Sequence, residues 1–428
     1  MLYDNLISYI NSGEMDSKLI DIYQDKKELE TQKKRYINAI EGFKGLYPEL
    51  SDISIFSAPG RTEIGGNHTD HQHGQVLAAS INLDAIAVAS KTDSNLVYIK
   101  SEGYDMMTID LSDLSKKEDE EGTTLALVKG VFAGCKERGF QIGGFSTYIT
   151  SDVLGGSGLS SSAAFETLIG CIISGLYNDM SIDAVTNAII GQYAENYYFG
   201  KPCGLMDQMA CSVGSLCHID FGVPGPEPGI ERIEFDLDSA GYSLCITDTK
   251  GSHADLTSDY AAVPQEMKSV AAYFGKEYLI EVDKSDVFKY IPELRQKLGD
   301  RAVLRALHFF GENVRVENES KALIEGNFDE FLKNVLISGD SSFKLLQNIY
   351  TPHDPEHQNM SIALCISQMI LGEKNGVCRV HGGGFAGTIQ AFVKNEKVYE
   401  YKYAMDKVFG EGACAVLKIR KYGGIRVI

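Results

Sequence analysis

Leu154-Gly155-Gly156-Ser157-Gly158-Leu159-Ser160-Ser161-Ser162-Ala163-Ala164 is the stretch on which the reading of this chain turns. Before it, Phe145, Thr147 and Ile149 alternate with Ser146, Tyr148 and Thr150, the period of a strand. After it, from about Ser161 to Leu176, small and apolar residues continue for the length of a helix. Strand, glycine-rich turn and helix in that order make an anion site. Glycines let backbone N–H groups approach a ligand closely and permit positive φ. Successive N–H groups and a helix N-terminus favour negative charge. The serine hydroxyls add donors, and one can ligand Mg2+. The same residues also fit a tight turn with serine caps.

Outward from this stretch the chain mixes α and β. Residues 16–45 carry apolar residues at helical spacing. Ala85–Lys91, Leu96–Lys100 and Met106–Leu111 read as strands, and Ile182–Tyr198 as a second helix. The later half repeats the mixture, with strands at Tyr242–Asp248, Thr388–Val393 and Ala413–Ile419 and helices at Glu293–Arg315 and Ser320–Ser338. Val223-Pro224-Gly225-Pro226-Glu227-Pro228-Gly229 holds three of the ten prolines and is the best boundary. It predicts an N-terminal lobe over 1–222 and a C-terminal lobe over 223–428, with the last strand returning to the first lobe.

Composition excludes several classes. The 428 residues carry 40 Lys+Arg against 59 Asp+Glu, a net charge of −19. So acidic a surface repels phosphate backbones, which argues against general nucleic-acid binding but not against a small anionic substrate. A hydrophobic content of 44% with 23% charged residues is that of a folded protein. No apolar run has the length of a membrane span, and no secretory signal is visible at Met1-Leu2-Tyr3-Asp4-Asn5. Nine cysteines without CxxC pairs point to free thiols and a cytoplasmic location.

Other segments carry candidate chemistry. Gly382, Gly384 and Gly387 form a GxGxxG, yet a strand pattern follows where a dinucleotide fold needs a helix, so close backbone packing or a ligand-facing loop is expected there. Arg61-Thr62-Glu63-Ile64-Gly65-Gly66-Asn67-His68-Thr69-Asp70-His71 is dense in hydrogen-bonding groups, suited to a polyol or to a solvated loop. A zinc site fits it poorly, because no His pair has helical i,i+4 spacing. Asp207, in Cys203-Gly204-Leu205-Met206-Asp207-Gln208, is a carboxylate beside a glycine turn in apolar surroundings, either a turn former or a general base. If the chain folds back, Ser162 and Glu195 can share one Mg2+.

Together these motifs resemble the galactokinase branch of the GHMP small-molecule kinases, the superfamily of galactokinase, homoserine, mevalonate and phosphomevalonate kinases. The similar segments are Ala58-Pro59-Gly60-Arg61 through His68-Thr69-Asp70, Gly156 to Ala164, Ala194-Glu195-Asn196 with Cys203 to Gln208, Arg305-Ala306-Leu307-His308 with Glu312-Asn313, and Gly382 to Gly387. They run in order from about Ser54 to Val393. The resemblance implies an α+β, two-lobed fold with the active site between the lobes. It implies ATP- and Mg2+-dependent phosphorylation of the anomeric hydroxyl of a hexose, galactose first. Carried over by position, Asp207 is the candidate base and Arg61 stabilises the transferring phosphoryl group. Asn67, His68, Asp70, Gly204 and Tyr260 form the sugar site. Gly155, Gly156, Ser157, Gly158, Leu159, Ser160, Ser161 and Ser162 cradle the ATP phosphates, with Ser162 and Glu195 nearest the metal.

Two departures stand out. Asn67 replaces the glutamate that in galactokinases faces the sugar C6 hydroxyl, and Thr62-Glu63 replaces an apolar-Asn pair. Losing the carboxylate opens the C6 side to a galacturonate, hence galacturonate kinase as an alternative. A non-catalytic galactose sensor is disfavoured by the intact Ser160-Ser161-Ser162-Ala163-Ala164 and by Asp207. Neither the oligomeric state nor a role for the first fifty residues is legible.

Overall fold

The computed structural model describes residues 3–153, 158–225, 227–251 and 256–428. Among the described residues, twelve strands form two sheets: β1 (Ser54–Gly65), β2 (Gln75–Lys91), β3 (Leu96–Ser101), β4 (Met107–Asp110), β5 (Phe145–Ser151), β6 (Leu216–Asp220), β7 (Gly229–Ile233), β8 (Tyr242–Asp248), β9 (Gly376–Val380), β10 (Thr388–Lys394), β11 (Cys414–Leu417) and β12 (Ile425–Arg426). The first sheet runs β12-β1-β2-β5-β3-β4, with β6 added to β2 and β7 to β6. The second runs β11-β8-β10-β9. Apart from the parallel β3–β5 pair, neighbours are antiparallel. This is an α+β architecture.

β1 is buried along all twelve residues, which explains why its pattern departs from simple alternation. Its register against β2 shifts between Pro59 and Arg61, so Gly60 is a bulge residue. A Cβ on Gly60 would lie 2.8 Å from the Leu159 carbonyl and 3.0 Å from Val153. Glycine there lets both sides of the glycine-rich segment lie against β1. Helices Thr124–Glu137 and Ser161–Tyr177 cover one face of the first sheet, burying Phe132, Leu168 and Ile172 against Phe56 and Ala87.

A second core cluster joins the sheets. Ile64 and Leu77 of the first sheet pack with Leu244, Phe392 and Leu417 of the second, and with Phe331 and Val335 of helix Phe328–Ser341. Phe331 meets Phe392 edge-on at 5.1 Å. The outer face of the first sheet is covered by helices Tyr3–Asn11, Asp16–Tyr23 and Leu29–Leu46.

Several expectations need correction. β6 and β7 form a hairpin in which Asp220 pairs with Gly229, so the chain leaves the first sheet after Ile233 rather than at 222. The helix expected over Glu293–Arg315 is two helices, Ile291–Leu298 and Asp300–Ile324, because Gly299 at φ +88° breaks the ladder. Gly326 at φ +70°, followed by the Asn327 cap, likewise divides the helix expected over Ser320–Ser338. The last strand expected, Ala413–Ile419, is β11 and stays in the second sheet beside β8; it is the short β12 beyond it that returns, Ile425 pairing with Ser57.

Candidate active site

β1 delivers Arg61 just past its bulge. Helix Met206–Val213 presents Asp207 in its first turn, where a carboxylate is favoured by the helix dipole. Arg61 Nε donates to Asp207 Oδ1 and Nη2 to Oδ2, both at 2.7 Å. This is the bidentate fork that guanidinium and carboxylate geometry allow. The third branch, Nη1, donates to the Gly158 carbonyl at 2.7 Å. Ser160 Oγ also donates to Asp207 Oδ2. Burial by itself pushes the Asp207 carboxyl up; the Arg61 charge, its hydrogen bonds and the Ser160 hydroxyl outweigh this and hold it below the usual carboxylate range. The side chain is 33% exposed, so this anion stays accessible to a ligand while Arg61 is buried.

Ser160 adopts φ +57°, a left-handed conformation costly for a serine. Its hydroxyl does not cap the helix that follows but turns to Asp207. The first N–H groups of helix Ser161–Tyr177, which have no partner inside the helix, are thereby left for an anion. Leu159 is buried, and its carbonyl accepts from Arg61 N at 3.1 Å. Gly155, Gly156 and Ser157 lie outside the described residues.

Beside Asp207, His68, Asp70, Gly204 and Tyr260 line one cleft of about 590 Å³, together with Cys203 and Phe221. That volume suits a small-molecule site. Gly204 is glycine for a steric reason, since a Cβ there would lie 1.9 Å from Asp70 Oδ2. Burial, then the nearby Asp207 charge, raises the Asp70 carboxyl to about 6. Burial lowers His68 to about 4, so its ring is neutral near pH 7. Its Nε2 lies 2.8 Å from the Gly383 carbonyl, which can only accept. The ring proton therefore sits on Nε2, and Nδ1 is left as an acceptor. Tyr260 donates to the Gly384 carbonyl at 2.7 Å and stands edge-on to Phe385.

The third glycine motif thus braces His68 and Tyr260, and the strand predicted after it is β10. Gly384 needs to be glycine at φ +84°, because a Cβ would meet the Asn348 carbonyl at 2.1 Å.

Asn67 departs from expectation. Its side chain is fully buried and does not line the cleft. Nδ2 donates to Glu63 Oε1 at 3.0 Å and to the Gly382 carbonyl at 2.7 Å; Oδ1 accepts from Ser342 at 3.3 Å and Asn348 at 2.8 Å. Both donors and both acceptor positions are taken. Glu63, two positions beyond Arg61 on β1, pairs instead with buried Arg379 at 2.9 Å. Arg305 and His308 are also internal braces, Arg305 to Glu266 and the Leu346 carbonyl, His308 to the Asn67 carbonyl and Ser341.

Ser162 Oγ lies 3.4 Å from Glu195 Oε1, so the fold does bring together the two residues expected at the metal. Sequence reading missed their neighbours: Lys201 donates to Glu195 Oε1 at 2.8 Å and Gln208 to Oε2 at 2.7 Å. Gln208 also donates to Glu166, whose other oxygen is buried without a partner. Burial, then the Glu195 charge, pushes the Glu166 carboxyl well up. A hydroxyl and a carboxylate are the hard oxygen donors Mg2+ takes, with phosphate oxygens completing its shell. His381 was missed too. Its ring lies between Thr62 (3.0 Å), the residue after Arg61 on β1, and Thr388 (2.8 Å), and no spacing rule marks it.

This fold and site define a GHMP kinase. The model of the GHMP kinase N-terminal domain matches residues 126–215, and that of the galactokinase galactose-binding signature matches residues 41–91. A galactokinase of Glaesserella parasuis is 32% identical over 83% of this chain and 89% of its own length. One from Streptomyces coelicolor is 29% identical over 86% and 92%. Among solved structures, Lactococcus lactis galactokinase complexed with galactose superimposes with a TM-score of 0.76 at 24% identity, covering 90% of this chain and 98% of that one. A mevalonate kinase gives 0.58 at 15%, covering 86% and 99%. The chain belongs to the galactokinase family.

Proposed function

We propose that this protein transfers the γ-phosphoryl group of ATP to the anomeric hydroxyl of galactose, in the cytoplasm. The observation that carries the reading is the Arg61–Asp207 fork, flanked by a helix N-terminus on one side and by the His68–Asp70–Tyr260 cleft on the other. The sugar C1 hydroxyl sits at Asp207. Asp70, the Nδ1 of His68 and Tyr260 hold its other hydroxyls. Asp207, kept ionised by Arg61, is a weak base in the ground state; it aligns the hydroxyl and takes the proton late, as the phosphorus–oxygen bond forms. Arg61 orients Asp207 and offsets negative charge on the transferring group. Gly158, Ser160, Ser161 and Ser162, with Gly155 to Ser157 before them, cradle the phosphates. Ser162 and Glu195 would hold Mg2+, which when bound neutralises phosphate charge.

The test is ADP release with MgATP on galactose, galacturonate, N-acetylgalactosamine and glucose. Galactose is expected to give the highest kcat/KM. Because the Asn67 amide is spent within the protein, it gives galacturonate no selective contact. Galacturonate turning over fastest would overturn the assignment of the C6 side, and no turnover on any sugar would overturn the activity.

A further inference from the structure

The helices over Tyr3–Leu46 lie almost wholly ahead of residue 41, where the family match begins, and no step above uses them. They do more than cover the sheet. A polar spine runs through their apolar packing and ends at the strand that carries Arg61.

Its centre is Asp84, fully buried on β2 opposite Pro59. Four side chains donate to this one carboxylate: Tyr23 at 2.8 Å, Arg35 Nη1 at 2.8 Å, Arg420 Nη1 at 2.9 Å and Ser57. Arg35 and Tyr23 come from the N-terminal helices. Arg35 also holds the Asp84 carbonyl at 2.9 Å and reaches Asp152 Oδ2 at 2.9 Å. Asp152 N in turn donates to the Asp84 carbonyl at 3.0 Å. Arg35 thus clamps β2 to the residue directly before Val153. Val153 rests on Gly60, and on the far side of the glycine-rich segment the Leu159 carbonyl rests on Arg61 N.

We propose that Arg35 is a positioning residue for nucleotide binding. Through Asp84 and Asp152 it fixes the first side of the glycine-rich segment against the bulge that aims Arg61. The N-terminal helices are then part of the ATP site's scaffold, although none of their residues touches the reacting groups. Removing the clamp takes away the side-chain tie of Asp152 to β2 and leaves its N–H on the Asp84 carbonyl, so Asp152 and Val153 are held less firmly and ATP binding must restore their place, whereas Arg35, Asp84 and Asp152 are not among the residues that line the cleft. The inference rests on the reading that this segment holds ATP.

The test compares Arg35→Gln, Arg35→Lys, Asp152→Asn and the double variant Arg35→Gln/Asp152→Asn in the full chain. The Kd of a fluorescent ATP analogue and the separate KM values for ATP and galactose are measured. Asp152 is 39% exposed, so its variant is expected to fold whatever Arg35→Gln does. Coupling of about 1 kcal/mol predicts a roughly 5-fold rise in nucleotide Kd and in KM for ATP, with KM for galactose within about 2-fold. Arg35→Lys recovers part of the loss, and the double variant is no worse than Arg35→Gln alone. Wild-type nucleotide affinity in folded Asp152→Asn would overturn the clamp, as would equal rises in both KM values. Absence of analogue binding by the wild-type chain would instead overturn the ATP reading itself.

Discussion

Arg61–Asp207 and Arg379–Glu63 are two ion pairs anchored two residues apart on one strand, yet they hold their protons differently. Asp207 receives both arms of its fork and the Ser160 hydroxyl, and stays below the usual carboxylate range. Glu63 receives one arm of Arg379, whose other arm is given to the Ile64 carbonyl, and the Asn67 amide, both on the same oxygen Oε1. Buried, and near the carboxylates of Glu312 and Asp70, Glu63 rises to about 7. An arginine neighbour does not by itself fix a carboxylate's charge; the number of donors it receives and the other charges around it do. The donors on the accessible carboxylate outweigh its burial, whereas those on the buried one do not.

The sharpest way to break this contrast is Asp207→Asn. It keeps the shape but removes the proton acceptor, and kcat is expected to fall by about 10²- to 10⁴-fold with the circular dichroism spectrum retained. Near wild-type kcat would remove Asp207 from its role. Arg61→Ala comes next, with kcat down about 10²-fold and KM changed far less, since its charge counts most in the transition state. A pure KM effect would make Arg61 a ground-state ligand.

Asp70 sharpens the comparison from the side. With its carboxyl at about 6, partly because of Asp207, galactose Kd measured by calorimetry should rise several-fold as pH falls from 7 to 5, because a protonated Asp70 loses an acceptor. In Asp207→Asn the same rise should shift to lower pH. An unshifted profile would mean that the two carboxylates do not sense each other.

Glu63→Gln is the smallest effect. The folded carboxyl titrates at about 7 against 4.5 for the free side chain, so the native state keeps a proton that the unfolded chain has released. Stability from this group is therefore lost as pH rises from about 4.5 to 7. The glutamine variant should keep kcat within about 3-fold and be less sensitive to pH than wild type, read as Tm at pH 5 and pH 8. A variant whose Tm falls with pH as steeply as wild type would contradict the raised carboxyl.

Why was so much of the site legible in sequence and part of it not? The glycine- and serine-rich segment, Asp207 beside its glycine, and the His68–Asp70 tract are compact, and their chemistry lies in neighbouring residues. Asn67 was misread because its side-chain direction depends on Glu63, Gly382, Ser342 and Asn348, of which only Glu63 is close in sequence. Lys201, His381 and Arg35 went unseen for the same reason: a single charged or polar residue has no signature until its partner arrives from elsewhere.

The proline-rich turn shows the limit for topology. The proline-rich stretch signals a break between strands, but whether that break ends a lobe or lies inside a hairpin depends on what β7 pairs with. By itself the sequence determined a mixture of α and β, most element positions and the order of the chemical motifs, because periodicity and turn chemistry are local; the α+β class came with the family resemblance those motifs carry. Only the tertiary structure decided which carboxyls are pushed up and which are held down, that the Asn67 amide is consumed inside the protein, and that the N-terminal helices reach the strand bearing Arg61. Those depend on burial and on donors supplied from tens to hundreds of residues away, which no local pattern encodes.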